Sequence, residues 1–325
     1  MSTLCALLLA ATPLVADFTS REVTFKGYKG FDLVGTFLAP KGSVRGPAVM
    51  LLAGSGPSNR DGDSGPLKIQ ILKEIAEGLA AHGVASLRYD KRAVAPTYMA
   101  KFPKEQSQWN DFFSFEAFTG DAEGGLAWLK AQKEVDPART AVLGHSEGGL
   151  IALAIASKAK PKALILVATA GRDFGTVLEE QIAQGYSAQF TPKPLLATLV
   201  SDAKRAVASV RKTSTVPTDI HPSLKAVFPT YATRLLHSEM TLDPVVLAKA
   251  FHGPAMIVQG DKDIQISVDR DMPLLRKAMP QAEVAVVKGG THCLKVWKDA
   301  KDPGLVGPLV PGAVDKISAW AKNNL

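Results

Sequence analysis

A hydroxyl that attacks a carbonyl must be held clear of the backbone around it, and Gly144-His145-Ser146-Glu147-Gly148-Gly149 has the composition to do this. Residues 140–143 before it form a short, apolar, partly β-branched run of the kind that makes a buried strand. Residues 150–156 after it are an Ala/Leu/Ile run suited to a buried helix. Between them a G-x-S-x-G turn puts the serine in a strained strand-to-helix bend, with Gly144 and Gly148 letting backbones pass closely. Ser146 Oγ is then presented as a nucleophile at the C-terminal edge of a sheet. A five-residue pattern recurs by chance, so partners elsewhere in the chain must carry the assignment.

A serine hydroxyl needs a base within hydrogen-bond reach, usually a histidine held by a carboxylate. Around such a turn the chain order is serine, acid, histidine. Of six histidines, His82 and His145 precede the serine, and His221, His237 and His252 fall in or beside a segment that interrupts the strand pattern. His292 alone follows a further strand, acid loop, helix and strand, next to Gly289 and Gly290, and is the expected base. The acid is expected in the loop after the strand 255–259, where Asp261 and Asp263 both occur. Asp263 is preferred, since Asp261 directly after Gly260 is placed to bind its own turn. Asp269 and Asp271 read as helix-start residues. The developing oxyanion needs donors, each worth about 3 kcal/mol. One is the backbone N–H of Glu147 at a helix N-terminus. The second is assigned to Ser55 N–H in the Gly54-Ser55-Gly56 loop, with Gly54 as the alternative.

The elements that must position these residues alternate. Strands are expected at 21–25, 31–38, 47–52, 84–89, 140–143, 163–167, 255–259 and 283–287, and helices near 67–81, 121–132, 150–156, 271–278 and 313–323. Such alternation predicts an α/β fold with a mostly parallel sheet covered by helices on both faces. It breaks over 172–252, where helical segments at 177–184 and 195–210 and no clear strand read as a mainly helical cap insertion. The core is then 17–171 and 253–325. Leu195, Leu196, Leu199, Phe228, Leu235 and Leu236 are expected mostly in the insertion's own core.

The chain has 325 residues, enough for one α/β domain with an insertion, and a formal net charge of +7. Its basic residues are interleaved with acidic ones, without a long basic run, so nucleic acid is not expected as a partner. Residues 1–16 read as a secretory signal with cleavage after Ala16, which implies a periplasmic or secreted protein. They lack a Lys or Arg before the apolar core, and a cytoplasmic chain is the alternative. No other stretch is long and apolar enough to span a bilayer. The two cysteines, Cys5 and Cys293, build no disulfide framework, and no cysteine pair has zinc-ligand spacing, so no metal site is expected.

Beyond residue 20 the chain resembles the α/β-hydrolase superfamily, and within it bacterial esterases whose oxyanion loop reads H-G-S-G-P followed by a D-R-D-G-like stretch. The resemblance is carried by residues 53–62, by Gly144-His145-Ser146-Glu147-Gly148-Gly149, and by residues 258–265. Ala53 stands where the family has histidine, Asn59 where aspartate is frequent, and Ala93 and Ala95 where many relatives carry glycine; Asp90 and Arg92 beside them read as structural ion-pair residues. The resemblance implies a carboxylesterase acting without cofactor on small-molecule esters of short or medium acyl chains. Peptide or amide hydrolysis of an aminopeptidase type, thioester hydrolysis, and a non-enzymatic ligand-binding scaffold are the alternatives.

Overall fold

In a computed structural model, residues 18–42, 44–189, 191–299 and 302–325 are described. The signal-like segment 1–16 lies outside them. The chain opens with a hairpin of β1 (Phe18–Lys26) and β2 (Asp32–Pro40), then enters the sheet interior with β3 (Gly46–Leu52). After a long polar loop come α1 (Ile71–Ala81) and β4 (Ala85–Tyr89), two single-turn helices, α2 (Ala95–Tyr98) and α3 (Trp109–Phe112), and α4 (Phe115–Lys130). The centre is β5 (Val135–His145), α5 (Glu147–Ala159) and β6 (Ala163–Val167). Between β6 and β7 lie α6 (Phe174–Ala188), α7 (Lys193–Thr213), α8 (Thr233–Thr241) and α9 (Pro244–Lys249), with no strand among the described residues. The chain closes with β7 (Ala255–Gly260), α10 (Met272–Ala278), β8 (Glu283–Val287) and α11 (Ala313–Asn324).

The eight strands form one sheet in the order β1-β2-β4-β3-β5-β6-β7-β8. β1, β2 and β4 pair antiparallel, and from β4 to β8 every pairing is parallel. Side chains of a strand alternate between faces. Along β3, Ala48, Met50 and Leu52 join one buried cluster with α4, α5, α9 and α10, whereas Val49 and Leu51 join the other with α1 and α11. Burial on both faces explains why β3 and β6 read as unbroken apolar runs. Among the described residues no helix is long and apolar enough to cross a membrane.

The two helix starts that depart most from the sequence expectation do so for local reasons. α1 begins at Ile71 because the Asp63 carboxylate accepts from Gln70 N at 3.1 Å and from Lys68 Nζ at 3.1 Å, holding 64–70 as loop. α4 begins at Phe115 because Ser114 Oγ accepts from Ala117 N at 3.2 Å, an N-cap inside the aromatic-rich stretch 109–118. In the segment between β6 and β7, Leu199, Phe228 and Leu236 belong to its own buried cluster, while Leu195 is exposed.

Candidate active site

The turn after β5 is tight enough to exclude side chains. A Cβ on Gly144 would lie 2.2 Å from Gly148 O, and one on Gly148 would lie 2.4 Å from Leu52 O. Between them Ser146 has φ 56° and ψ −121°, a conformation that costs on the order of 1–3 kcal/mol for a residue with a side chain. Its N–H donates to Val167 O at 2.9 Å, and α5 begins at the next residue, so the helix N-terminus faces the serine.

Ser146 lines a cavity of about 700 Å³ together with Glu147, His292, Gly54 and Ser55. His292, from the loop after β8, presents its Nδ1 to Asp263 Oδ2 at 2.8 Å. An ionised carboxylate only accepts, so Nδ1 carries the proton and Nε2 the lone pair. Burial pushes the Asp263 carboxyl up, but the charge and hydrogen bond of His292, with the N–H groups of Ile266 and Gln265, hold it below the usual range. Those two N–H groups reach Oδ1 at 2.9 and 2.7 Å, and Gln259 Nε2 reaches Oδ2 at 2.7 Å. The structure thus brings Ser146, Glu147, His292 and Ser55 to one cavity, with Asp263 fully buried behind the histidine.

Four contacts of the His292 loop carry no local sequence signal. Asp261 does not bind its own turn; its Oδ1 accepts from Gly289 N at 2.7 Å and ties the acid loop to the histidine loop. His145, in the variable position of the serine turn, pairs its Nε2 with the His292 carbonyl at 3.0 Å. Burial, and the neighbouring His292, lower its pKa to about 3, so it is a neutral ring donating from Nε2. The buried Lys295 pairs with Glu74 of α1, and Thr291 Oγ1 donates to Gly304 O at 2.6 Å. Cys293 lines the cavity, but burial pushes its thiol up to about 12, so it is no competing nucleophile.

The loop between β3 and α1 rests on a polar scaffold. Asn59 Oδ1 accepts from Asp61 N and Asp63 N, both at 2.9 Å, in an Asx-type turn that needs no charge. Arg60 clamps Asp90 through Nε at 3.1 Å and Nη2 at 3.0 Å, Arg88 meets Asp61 at 2.9 Å, and Arg92 takes the buried Asp121. Gly54 lies against Ser146, since a Cβ there would be 3.2 Å from the serine Cβ. Neither Ala93 nor Ala95 has a positive φ, so alanine is accommodated at both.

Three features went unread in the sequence. Asp271 precedes α10 without capping it; its buried carboxylate accepts from Gly171 N and Arg172 N, each at 3.1 Å, and takes the Arg172 guanidinium. The aromatic-rich stretch 109–118, which runs into α4, supplies Trp109, Phe113 and Phe118 to the cavity wall, joined by Tyr231. Glu239, on α8, lines the cavity from above with 3% of its surface exposed.

A mostly parallel sheet with helices on both faces and a serine turn after a central strand defines an α/β-hydrolase fold. An esterase of Pyrococcus furiosus shares it with a TM-score of 0.55 at 17% identity, over 88% of each chain. Est1E from Butyrivibrio proteoclasticus shares it with a TM-score of 0.55 at 15% identity, over 93% of this chain and 96% of that one. The family model described as Serine aminopeptidase, S33 matches residues 68–296, and the chain belongs to this family. Esterase EstD of Thermotoga maritima is 28% identical over 271 residues, 82% of this chain and 57% of that protein. An uncharacterized protein of Mycobacterium tuberculosis is 28% identical over 146 residues, 45% of this chain and 44% of that one. The chain spans about half the length of the curated relatives it matches.

Proposed function

We propose that this protein is a serine hydrolase cleaving carboxylic esters of small or medium acyl groups through an acyl-enzyme intermediate. One observation carries it: a strained Ser146 at the start of α5 shares a cavity with His292, whose Nδ1 is held 2.8 Å from a buried carboxylate. Ser146 Oγ attacks the ester carbonyl, and His292 Nε2 takes the proton and passes it to the leaving alcohol. Asp263 fixes the tautomer that leaves Nε2 free and steadies the imidazolium that forms. The N–H groups of Ser55, or alternatively Gly54, and of Glu147 receive the oxyanion. Water, activated by the same histidine, releases the acid.

The cavity volume falls within the roughly 300–1,000 Å³ of small-molecule sites, and its aromatic wall suits an acyl chain. Residues 172–252 act in this scheme as a cap, since Val177, Leu235 and Glu239 reach the cavity from that segment. The name of the Thermotoga relative, an esterase, points the same way. Amide hydrolysis of an aminopeptidase type is the second reading, favoured by the description of the family. The test is a panel of p-nitrophenyl esters of increasing chain length beside aminoacyl-naphthylamides, with fluorophosphonate labelling of the wild-type protein and Ser146→Ala. Ester turnover and labelling that both vanish in the variant are expected; labelling that persists in it refutes the assignment of Ser146.

A further inference from the structure

Beside the cavity lies a cluster of ionisable side chains, those of Lys91, Glu147 and Glu239, that take no part in the hydrolytic steps. Lys91, in the loop after β4, is 6% exposed, and its Nζ donates to Gly54 O at 3.0 Å and to Glu147 Oε1 at 3.0 Å. It stands 4.7 Å from the centre of the Phe118 ring, and both its side chain and that of Glu147 are buried. One buried cation therefore ties the loop opposite Ser146 to the residue that follows Ser146. Glu239 approaches Glu147 from α8. Its Oε1 is buried and has no hydrogen-bond partner among the described residues, as a carboxylate deprived of water would not be left.

Lys91 balances one carboxylate, and a second buried, uncompensated one is strongly disfavoured. Burial, and then the charge of Glu147, hold the Glu239 proton well above the usual carboxylate range, with Lys91 opposing. Of the charges on elements packed against α8, Glu180 of α6 takes Arg172 and Arg270 and Asp121 of α4 takes Arg92; Glu179 of α6 and Lys204 and Lys212 of α7 are carried by the same elements. Arg211 of α7 pairs with Asp173 and donates to Met240 O, and Asp111 and Glu116 of α3 and α4 take Arg234.

A trans peptide is planar, so Gly54 C=O and Ser55 N–H point in opposite directions across one rigid unit. Lys91 holds the carbonyl from a side that does not line the cavity, and Ser55, which does line it, makes no N–H hydrogen bond among the described residues. We propose that Glu239, Glu147 and Lys91 form a positioning relay in which α8 holds the Gly54–Ser55 peptide with the Ser55 N–H turned into the cavity. This selects Ser55 over Gly54 as the second oxyanion donor and makes Lys91, which does not line the cavity, a positioning residue acting through that peptide, with Glu239 acting on it through Glu147. It rests on the esterase reading.

The experiment compares wild type, Lys91→Met and Glu239→Gln with p-nitrophenyl butyrate across pH, together with binding of a trifluoromethyl ketone that forms the tetrahedral adduct. Labelling of wild-type Ser146 by a fluorophosphonate is established first; its absence overturns the esterase reading and the relay with it. With labelling present, K91M is expected to lower kcat about a hundredfold with KM within about threefold. The ketone should weaken by the same factor as kcat, which a merely structural lysine would not produce. E239Q keeps the size of the side chain and removes its titrating proton, so it is read by its pH profile. It should lose the alkaline decline of kcat that appears in wild type as Glu239 gives up its proton. Ketone binding unchanged in folded K91M, or an alkaline limb identical in wild type and E239Q, overturns the relay while leaving the esterase intact.

Discussion

Asp263→Asn exchanges one atom, and the surroundings decide how the histidine responds. Oδ1 accepts from two backbone N–H groups that cannot rotate, Gln265 N at 2.7 Å and Ile266 N at 2.9 Å. The asparagine oxygen must take that place, which puts its NH₂ where Oδ2 meets His292 Nδ1 at 2.8 Å and Gln259 Nε2 at 2.7 Å. Gln259 Nε2 also donates to Ile266 O at 3.0 Å, so it resists turning its own oxygen inward. The new amide therefore donates to Nδ1, and the imidazole carries its hydrogen on Nε2, the tautomer that cannot take a proton from Ser146. A triad with the wrong tautomer loses about 10⁴ in kcat, and at 1.36 kcal/mol per decade that is about 5.4 kcal/mol of transition-state stabilisation. KM should stay near wild type, because the Asp263 side chain is fully buried and lines no part of the cavity. Losing hydrogen bonds to a charged group should cost stability on the order of 1.5–3 kcal/mol. Steady-state kinetics with p-nitrophenyl butyrate, beside urea unfolding, measure both. A folded D263N that retains more than about a tenth of wild-type kcat would refute the orienting role.

Gly148→Ala sets a Cβ 2.4 Å from Leu52 O and 2.8 Å from Ala53 O, both backbone, so the end of β3 and the loop after it must shift; about 1–3 kcal/mol of stability and most of kcat should go. Gly185→Ala in α6, where nothing lies within 4 Å, is the control, with an expected gain of about 0.4–1 kcal/mol by urea denaturation. Asp271→Ala leaves the Gly171 and Arg172 N–H groups and a guanidinium without their acceptor, and should lower stability by about 3–5 kcal/mol in the same assay. Glu239 gives stability a pH dependence of known sign. Its folded pKa is raised, so the folded protein binds more protons than the unfolded chain, and stability falls as pH rises from the ordinary glutamate value of 4.5 toward the folded pKa. E239Q should remove that slope, and Tm curves for the two proteins that stay parallel throughout the range above pH 4.5 would contradict the buried neutral acid.

Read alone, the sequence determined the features whose signal is local. The strand, strained turn and helix around Ser146 are written in ten consecutive residues, because the pattern of apolar positions and the lack of room for any Cβ act over one turn of chain. The β/α alternation likewise carried the mostly parallel sheet, and chain order singled out His292 among six histidines. What only the tertiary structure decided are contacts between side chains and distant backbone, which leave no periodicity to read. His145 meets a carbonyl 147 residues away, Asp271 an N–H 100 residues away, and Lys91 holds Gly54 and Glu147, 37 and 56 residues away. Glu239 is the clearest case. A glutamate on a short helix reads as a solvated face, and it becomes a buried acid only because α8 packs against α4, α6 and α7, where Glu147 and Lys91 replace water as its surroundings.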